Sequence, residues 1–121
     1  QAIKASTAKI LERFMIGVVR GGTGTAAAIP GVTVAGKTGT AELRSPSENP
    51  EDTDAWFIAF APAGKKKIAS GAVGVLFVGA GAGGETAAPA AQGVLSAMLA
   101  QRYTSSVTVA FLPGEIAAFD L

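Results

Sequence analysis

Residues Ala55 to Ala61 are apolar on both faces of a strand period, with Trp56, Phe57, Ile58 and Phe60 in a single run that Pro62 stops. That length and pattern fit a central strand, flanked along both edges. Its neighbours are close in sequence. After a turn at Pro30-Gly31, Val32 and Val34 start a strand that reaches Lys37-Thr38-Gly39-Thr40 within the segment ending at Leu43. Beyond Pro62, Gly64 and the basic run Lys65 to Lys67, which read as a solvated hairpin tip, Ile68 to Val78 is apolar again. So short a link makes the two stretches an antiparallel hairpin.

Two helices bracket these strands. Ser6 to Arg20 is amphipathic, with Leu11, Phe14, Met15 and Val18 at i, i+3, i+4 and i+7, Ser6 as the candidate N-cap and Gly21-Gly22-Thr23-Gly24 as the stop. Ala87 to Gln101 repeats the pattern, with Pro89 tolerated in the first turn and Ala91, Val94, Leu95, Met98 and Leu99 on one face. Between strands, Arg44 to Asp54 holds two prolines and four acidic residues and reads as an exposed loop. The order helix, three strands, helix predicts an α+β layer in which both helices cover one face of an antiparallel sheet. Residues 1–102 form that unit. Residues 103–121 are a tail with one β-prone segment, Val107 to Phe111, and a Pro113-Gly114 turn, whose placement the sequence leaves open.

Composition removes several function classes. Ten Lys plus Arg against nine Asp plus Glu leave a net charge of +1, too small to draw nucleic acid or an anionic membrane from a distance. Cysteine and histidine are both absent, which excludes disulfides, thiolate metal sites, a Ser-His-Asp triad and a His-ligated zinc hydrolase within this chain. Nucleophilic chemistry would need a lysine or carboxylate base, and no cofactor is indicated. No apolar run approaches the roughly twenty residues that span a bilayer, so the chain taken alone is expected to be soluble.

The chemically informative segment is Val34-Ala35-Gly36-Lys37-Thr38-Gly39-Thr40-Ala41-Glu42. On a strand Lys37 and Gly39 share one face, and Thr38 and Thr40 the other. If that edge is unpaired, an extended substrate can add itself as a further strand. Gly39 then lets a ligand approach the backbone, Lys37 supplies a positive field, and the two hydroxyls can hydrogen-bond a carboxylate. The bland alternative is an exposed edge strand guarded by one lysine.

The context of that segment resembles the transpeptidase domain of penicillin-binding proteins, whose members share Ser-x-x-Lys, Ser-x-Asn and Lys-Thr-Gly elements with class A β-lactamases. Ile29 through Glu42 looks like the family's third strand with its lead-in. Met15 through Thr25, with Val18-Val19 and Gly22-Thr23-Gly24-Thr25, looks like the preceding helix and turn. Asp54-Ala55-Trp56-Phe57-Ile58-Ala59-Phe60-Ala61-Pro62 resembles the next strand, and Ala87-Ala88-Pro89 the start of the last helix. The likeness covers residues 5 to 101, is closest to the class B enzymes of cell-wall synthesis, and implies a β-lactamase/transpeptidase-like fold.

The resemblance implies that Lys37, Thr38 and Gly39 line the acyl-donor cleft and that the Thr40 N–H forms half of an oxyanion hole. It implies attack by a serine on a D-alanyl-D-alanine stem peptide, acyl transfer to an amine, and acylation of the same serine by β-lactams. It also implies a location on the outer face of the cytoplasmic membrane, through an anchor not in this chain. The family normally ends soon after its last helix, so the tail after Arg102 is a departure.

Three literal motif matches compete. Ser6-Thr7-Ala8-Lys9 fits Ser-x-x-Lys, but only 27 residues separate Lys9 from Lys37, and the family's nucleophile lies much farther upstream, so Ser6 is read as a cap. Ser47-Glu48-Asn49 fits Ser-x-Asn but follows the box. Gly79-Ala80-Gly81-Ala82-Gly83-Gly84 fits the Gly-x-Gly-x-x-Gly of dinucleotide-binding turns and lies between a strand and a helix, which makes a small nucleotide-binding module the alternative function. Beyond Glu85 the next acidic residue is Glu115, too late to hold a ribose. The chain thus reads as the carboxy-terminal portion of a transpeptidase domain, without nucleophile or base. It is expected to be inactive alone, and to bind the remaining part of the domain or self-associate.

Overall fold

The computed structural model describes residues 2–42, 53–65, 67–101 and 109–112. In chain order these form α1 (Ala5–Gly21), a turn of 3-10 helix (Thr25–Ala27), β1 (Ala35–Glu42), β2 (Thr53–Ala61), β3 (Gly71–Phe77), α2 (Ala87–Gln101) and β4 (Val109–Leu112). The sheet order is β1-β2-β3-β4. β1 and β3 both run antiparallel to β2, as the hairpin reading requires, and β2 is central. The tail supplies the one addition to the expected three strands. β4 pairs with β3 in parallel, with Gly74 opposite Val109, and α2 is the crossover between them.

The apolar run splits by parity, because successive strand residues face opposite ways. Ala55, Phe57, Ala59 and Ala61 are buried beneath the helices with Val73 and Val75 of β3. Against them lie Val19 of α1 and Ala87, Ala88, Ala91 and Leu95 of α2, so both helices cover one face. α2 has the predicted span, and its alanines let it approach β2 and β3 closely. At Pro30-Gly31 the Val32 N–H donates to the Ile29 carbonyl at 3.1 Å and Gly31 has φ +75°, a type II turn with proline and glycine at the central positions. The turn aims β1 along the edge of β2.

Several details differ from the sequence reading. The cap position of α1 is Lys4, with no side-chain cap, and the first helical bond runs from the Ala8 N–H to the Lys4 carbonyl, so Ser6 sits inside the first turn. Leu11 and Phe14 are exposed, the latter 69%. Only the C-terminal half of α1, around Val19, lies on the sheet. β2 begins at Thr53, two residues into the segment read as a loop, because the Thr53 carbonyl accepts from the N–H groups of Ala80 and Gly81 while its hydroxyl donates to the Gly81 carbonyl. β3 begins at Gly71, and Ile68 belongs to the exposed hairpin tip. Trp56 and Ile58 lie on the face away from the helices and are 42% and 49% exposed among the described residues.

Phe57, with no exposed surface, is the largest fully buried side chain of the described residues. Phe57→Ala is expected to lower unfolding stability by about 3–5 kcal/mol. Urea denaturation of this chain measures it, and a loss below about 1 kcal/mol would mean that the ring is not a core anchor.

Candidate active-site strand

β1 is the outer strand of the sheet, and no other strand among the described residues pairs with its second edge. Lys37, Thr38, Gly39 and Thr40 occupy its middle. Lys37 and Gly39 are opposite Ile58 and Trp56 on the open face, whereas Thr38 and Thr40 are opposite Phe57 and Ala55 on the helix-covered face. Lys37 and Thr40 are exposed; Thr38 and Gly39 are half-buried. The Lys37 ammonium donates to the Thr38 carbonyl. Gly39 has a packing reason for lacking a side chain, since a Cβ there would meet the Trp56 Cβ at 3.1 Å.

The direction of the β1 backbone groups follows from the loop beneath them. A single methyl placed on Gly83 would collide with both the Gly39 and the Trp56 carbonyl oxygens. Those oxygens therefore lie side by side, within about 5 Å, as they do only in a pair that exchanges both hydrogen bonds; in the other kind of antiparallel pair the two carbonyls point apart. Gly39 and Trp56 are thus a hydrogen-bonded pair. By alternation the N–H and C=O groups of Thr38 and Thr40 point outward, to the open edge.

The same loop supports this edge from below. Gly83 is buried against the backbone of Gly39 and Trp56, and a methyl on Gly84 would strike the Thr23 carbonyl. Three of its six amides are committed: Gly79 N–H to the Asp54 carboxylate at 3.1 Å, Ala80 and Gly81 N–H to the Thr53 carbonyl at 3.0 and 3.2 Å. A pyrophosphate would need those N–H groups free. Sequence reasoning saw the glycines and missed their work; the signal was two adjacent glycines, Gly83-Gly84, two residues before a helix. It also missed Thr23, whose hydroxyl lies 2.8 Å from that of Thr38.

Ser6 and Lys9 are remote from this strand. Glu12 accepts a hydrogen bond from the Gly64 N–H at 2.9 Å, at the β2–β3 hairpin tip, and Ser6 lies farther toward the N-terminus of α1. Lys37–Thr40 pair with residues 55–58, on the half of β2 away from that tip. Ser47-Glu48-Asn49 lies outside the described residues.

An outer strand bearing Lys-Thr-Gly, backed by helices on one face, is the candidate site, and comparison with known proteins gives the family of the fold that carries it. The family model of the penicillin binding protein transpeptidase domain matches residues 1–96. The chain belongs to that family. It is similar to the D,D-transpeptidase domain of a peptidoglycan glycosyltransferase from Eggerthella lenta, at 37% identity and TM-score 0.63, over 84% of this chain and 22% of that one. It is similar also to penicillin-binding protein A from M. tuberculosis, solved as a ceftriaxone acyl-enzyme complex, at 37% identity and TM-score 0.66, over 82% of this chain and 22% of that one. The FtsI4 D,D-transpeptidase domain of Legionella pneumophila matches at 28% identity and TM-score 0.56, over 80% of this chain and 37% of that one. None of the curated proteins matches. The chain spans about a fifth of the length of the first two structures.

The close approach at Gly83 makes a signed prediction. Gly83→Ala is expected to destabilise the chain by roughly 1–3 kcal/mol or more, as overpacking against backbone does. Gly93→Ala, in α2 where a Cβ meets nothing within 4 Å, is expected to stabilise it by about 0.5–1 kcal/mol. Denaturation of the two variants side by side tests this; equal effects would refute it.

Proposed function

We propose that this chain supplies the acyl-donor-binding edge of a penicillin-binding serine D,D-transpeptidase, which cross-links peptidoglycan through an acyl-serine intermediate. The observation that carries the reading is the open edge of β1, with Thr38 and Thr40 backbone groups facing outward from a Lys37-Thr38-Gly39-Thr40 segment. A stem peptide lies along that edge as an added strand. Lys37 attracts its carboxylate, the Thr38 and Thr40 hydroxyls donate to it, and Gly39 leaves room for its backbone. The Thr40 N–H, aimed at the same edge, stabilises the oxyanion formed when the serine attacks the D-alanyl-D-alanine carbonyl. β-Lactams occupy the same edge, in keeping with the acyl-enzyme complexes of the mycobacterial relative.

The nucleophilic serine and its base belong to the remaining part of the domain, outside this chain. That part covers the face bearing Trp56 and Ile58, and the complete protein works at the outer face of the cytoplasmic membrane. Among the described residues no helix is long and apolar enough to cross a membrane.

Two measurements test the reading. Intact mass after incubation with a fluorescent penicillin is expected to show no adduct on this chain alone, and an adduct on the upstream piece when both are mixed. An adduct on this chain that disappears in Ser6→Ala would overturn it. Sedimentation of the isolated chain is expected to show concentration-dependent self-association through its exposed apolar surface. A monodisperse monomer would argue against a missing partner on that face.

A further inference from the structure

Thr23 lies in the turn after α1, at a place fixed three times over. The N–H groups on either side of it, of Gly22 and Gly24, both donate to the Val18 carbonyl, at 3.1 and 3.0 Å. Gly24 is buried against the Phe57 ring, so closely that a Cβ would come within 2.9 Å of it. The Thr23 carbonyl rests over Gly84, where no side chain fits. From this held backbone the Thr23 hydroxyl reaches the Thr38 hydroxyl at 2.8 Å.

Two hydroxyls so placed have two protons between them. One is used in their mutual bond, and one remains to donate outward. Either oxygen can be the donor in the pair. A carboxylate accepts only, so once it docks at Thr38 the Thr38 proton must point to it, and Thr23 must then be the donor to Thr38. In that chain the Thr38 hydroxyl is polarised by the bond it receives and becomes a stronger donor.

We propose that Thr23 is a positioning residue for carboxylate recognition: its hydroxyl fixes the Thr38 rotamer and directs the Thr38 proton to the open edge of β1. This rests on the reading of β1 as the acyl-donor-binding edge. Thr23 acts through Thr38, and its effect is selective for ligands that carry the carboxylate.

The test is the second-order rate of acylation of the complete transpeptidase by a penicillin and by the methyl ester of the same penicillin. Thr23→Val, which keeps the shape and removes the hydroxyl, is expected to slow the free acid about five- to tenfold with the loss confined to it, and Thr23→Ser to restore the rate. An equal loss for acid and ester, or no rescue by serine, would assign Thr23 a structural role and overturn the inference. Thr38→Val separates the two levels. If it slows the acid selectively while Thr23→Val matches the wild type, the inference about Thr23 fails and the reading of β1 stands. If Thr38→Val treats acid and ester alike, that reading fails, and the inference with it.

Discussion

The ring of Phe57 fills space that side chains at two other positions would have taken. A Cβ on Gly36 would come within 2.6 Å of the ring, and one on Gly24 within 2.9 Å. β1 and the turn after α1 are thereby brought onto the same aromatic ring, which itself has no exposed surface. Burial of a phenylalanine is worth roughly 1.5–3 kcal/mol in transfer alone, and here that energy is coupled to the position of the Lys37–Thr40 segment. Gly36 immediately precedes Lys37, and Gly24 immediately follows Thr23. A core contact therefore sets where two hydroxyls on separate segments meet.

Much of the architecture was legible because it rests on periodicity. The run from Ala55 to Ala61 gave a central strand, and the facing set Ala91, Val94, Leu95, Met98 and Leu99 gave a helix whose span matches α2. Proline and glycine at residues 30 and 31 gave a turn whose geometry demands them in that order. What failed depended on information held in other segments. The stripe Leu11, Phe14, Met15 and Val18 was read as one buried face, yet only its C-terminal end meets the sheet, since a hydrophobic period says which residues share a side and not how far the covering layer extends. Trp56 and Phe57 are adjacent and equally aromatic, and only the sheet decides that one is core and the other half open.

The site was legible in part. Alternation along β1 was a consequence of strand geometry, and the structure puts Lys37 and Thr38 on opposite faces as that geometry requires. The support of the strand was not legible. Gly79–Gly84 matched a nucleotide-binding pattern in order and spacing, but the same spacing also suits a loop that must lie flat on backbone. Which of the two holds depends on whether its amides face a ligand or the chain, and here Asp54 and Thr53 take those of Gly79, Ala80 and Gly81 while Gly83 and Gly84 lie against backbone. Thr23 had no motif of its own; a hydroxyl pair between residues 15 apart arises only when the turn and the strand are folded together.

The two edges of the sheet are treated differently, and the difference bears on the bland reading of β1 as a strand guarded by one lysine. At the far side, β4 pairs with β3, covers that strand's outer groups and becomes the short last strand of the sheet. At the near edge the Lys37 ammonium turns to the Thr38 carbonyl of its own strand, which blunts one acceptor and leaves the Thr40 amide uncovered by any described strand. A merely tolerated edge needs nothing beneath it. This one has a buried loop seated on the Gly39–Trp56 pair, a core ring against Gly36 and a hydroxyl partner for Thr38. Rigid backing of an open edge suits the docking of an extended ligand, because the backbone groups it must meet are already fixed and little ordering entropy is lost on binding.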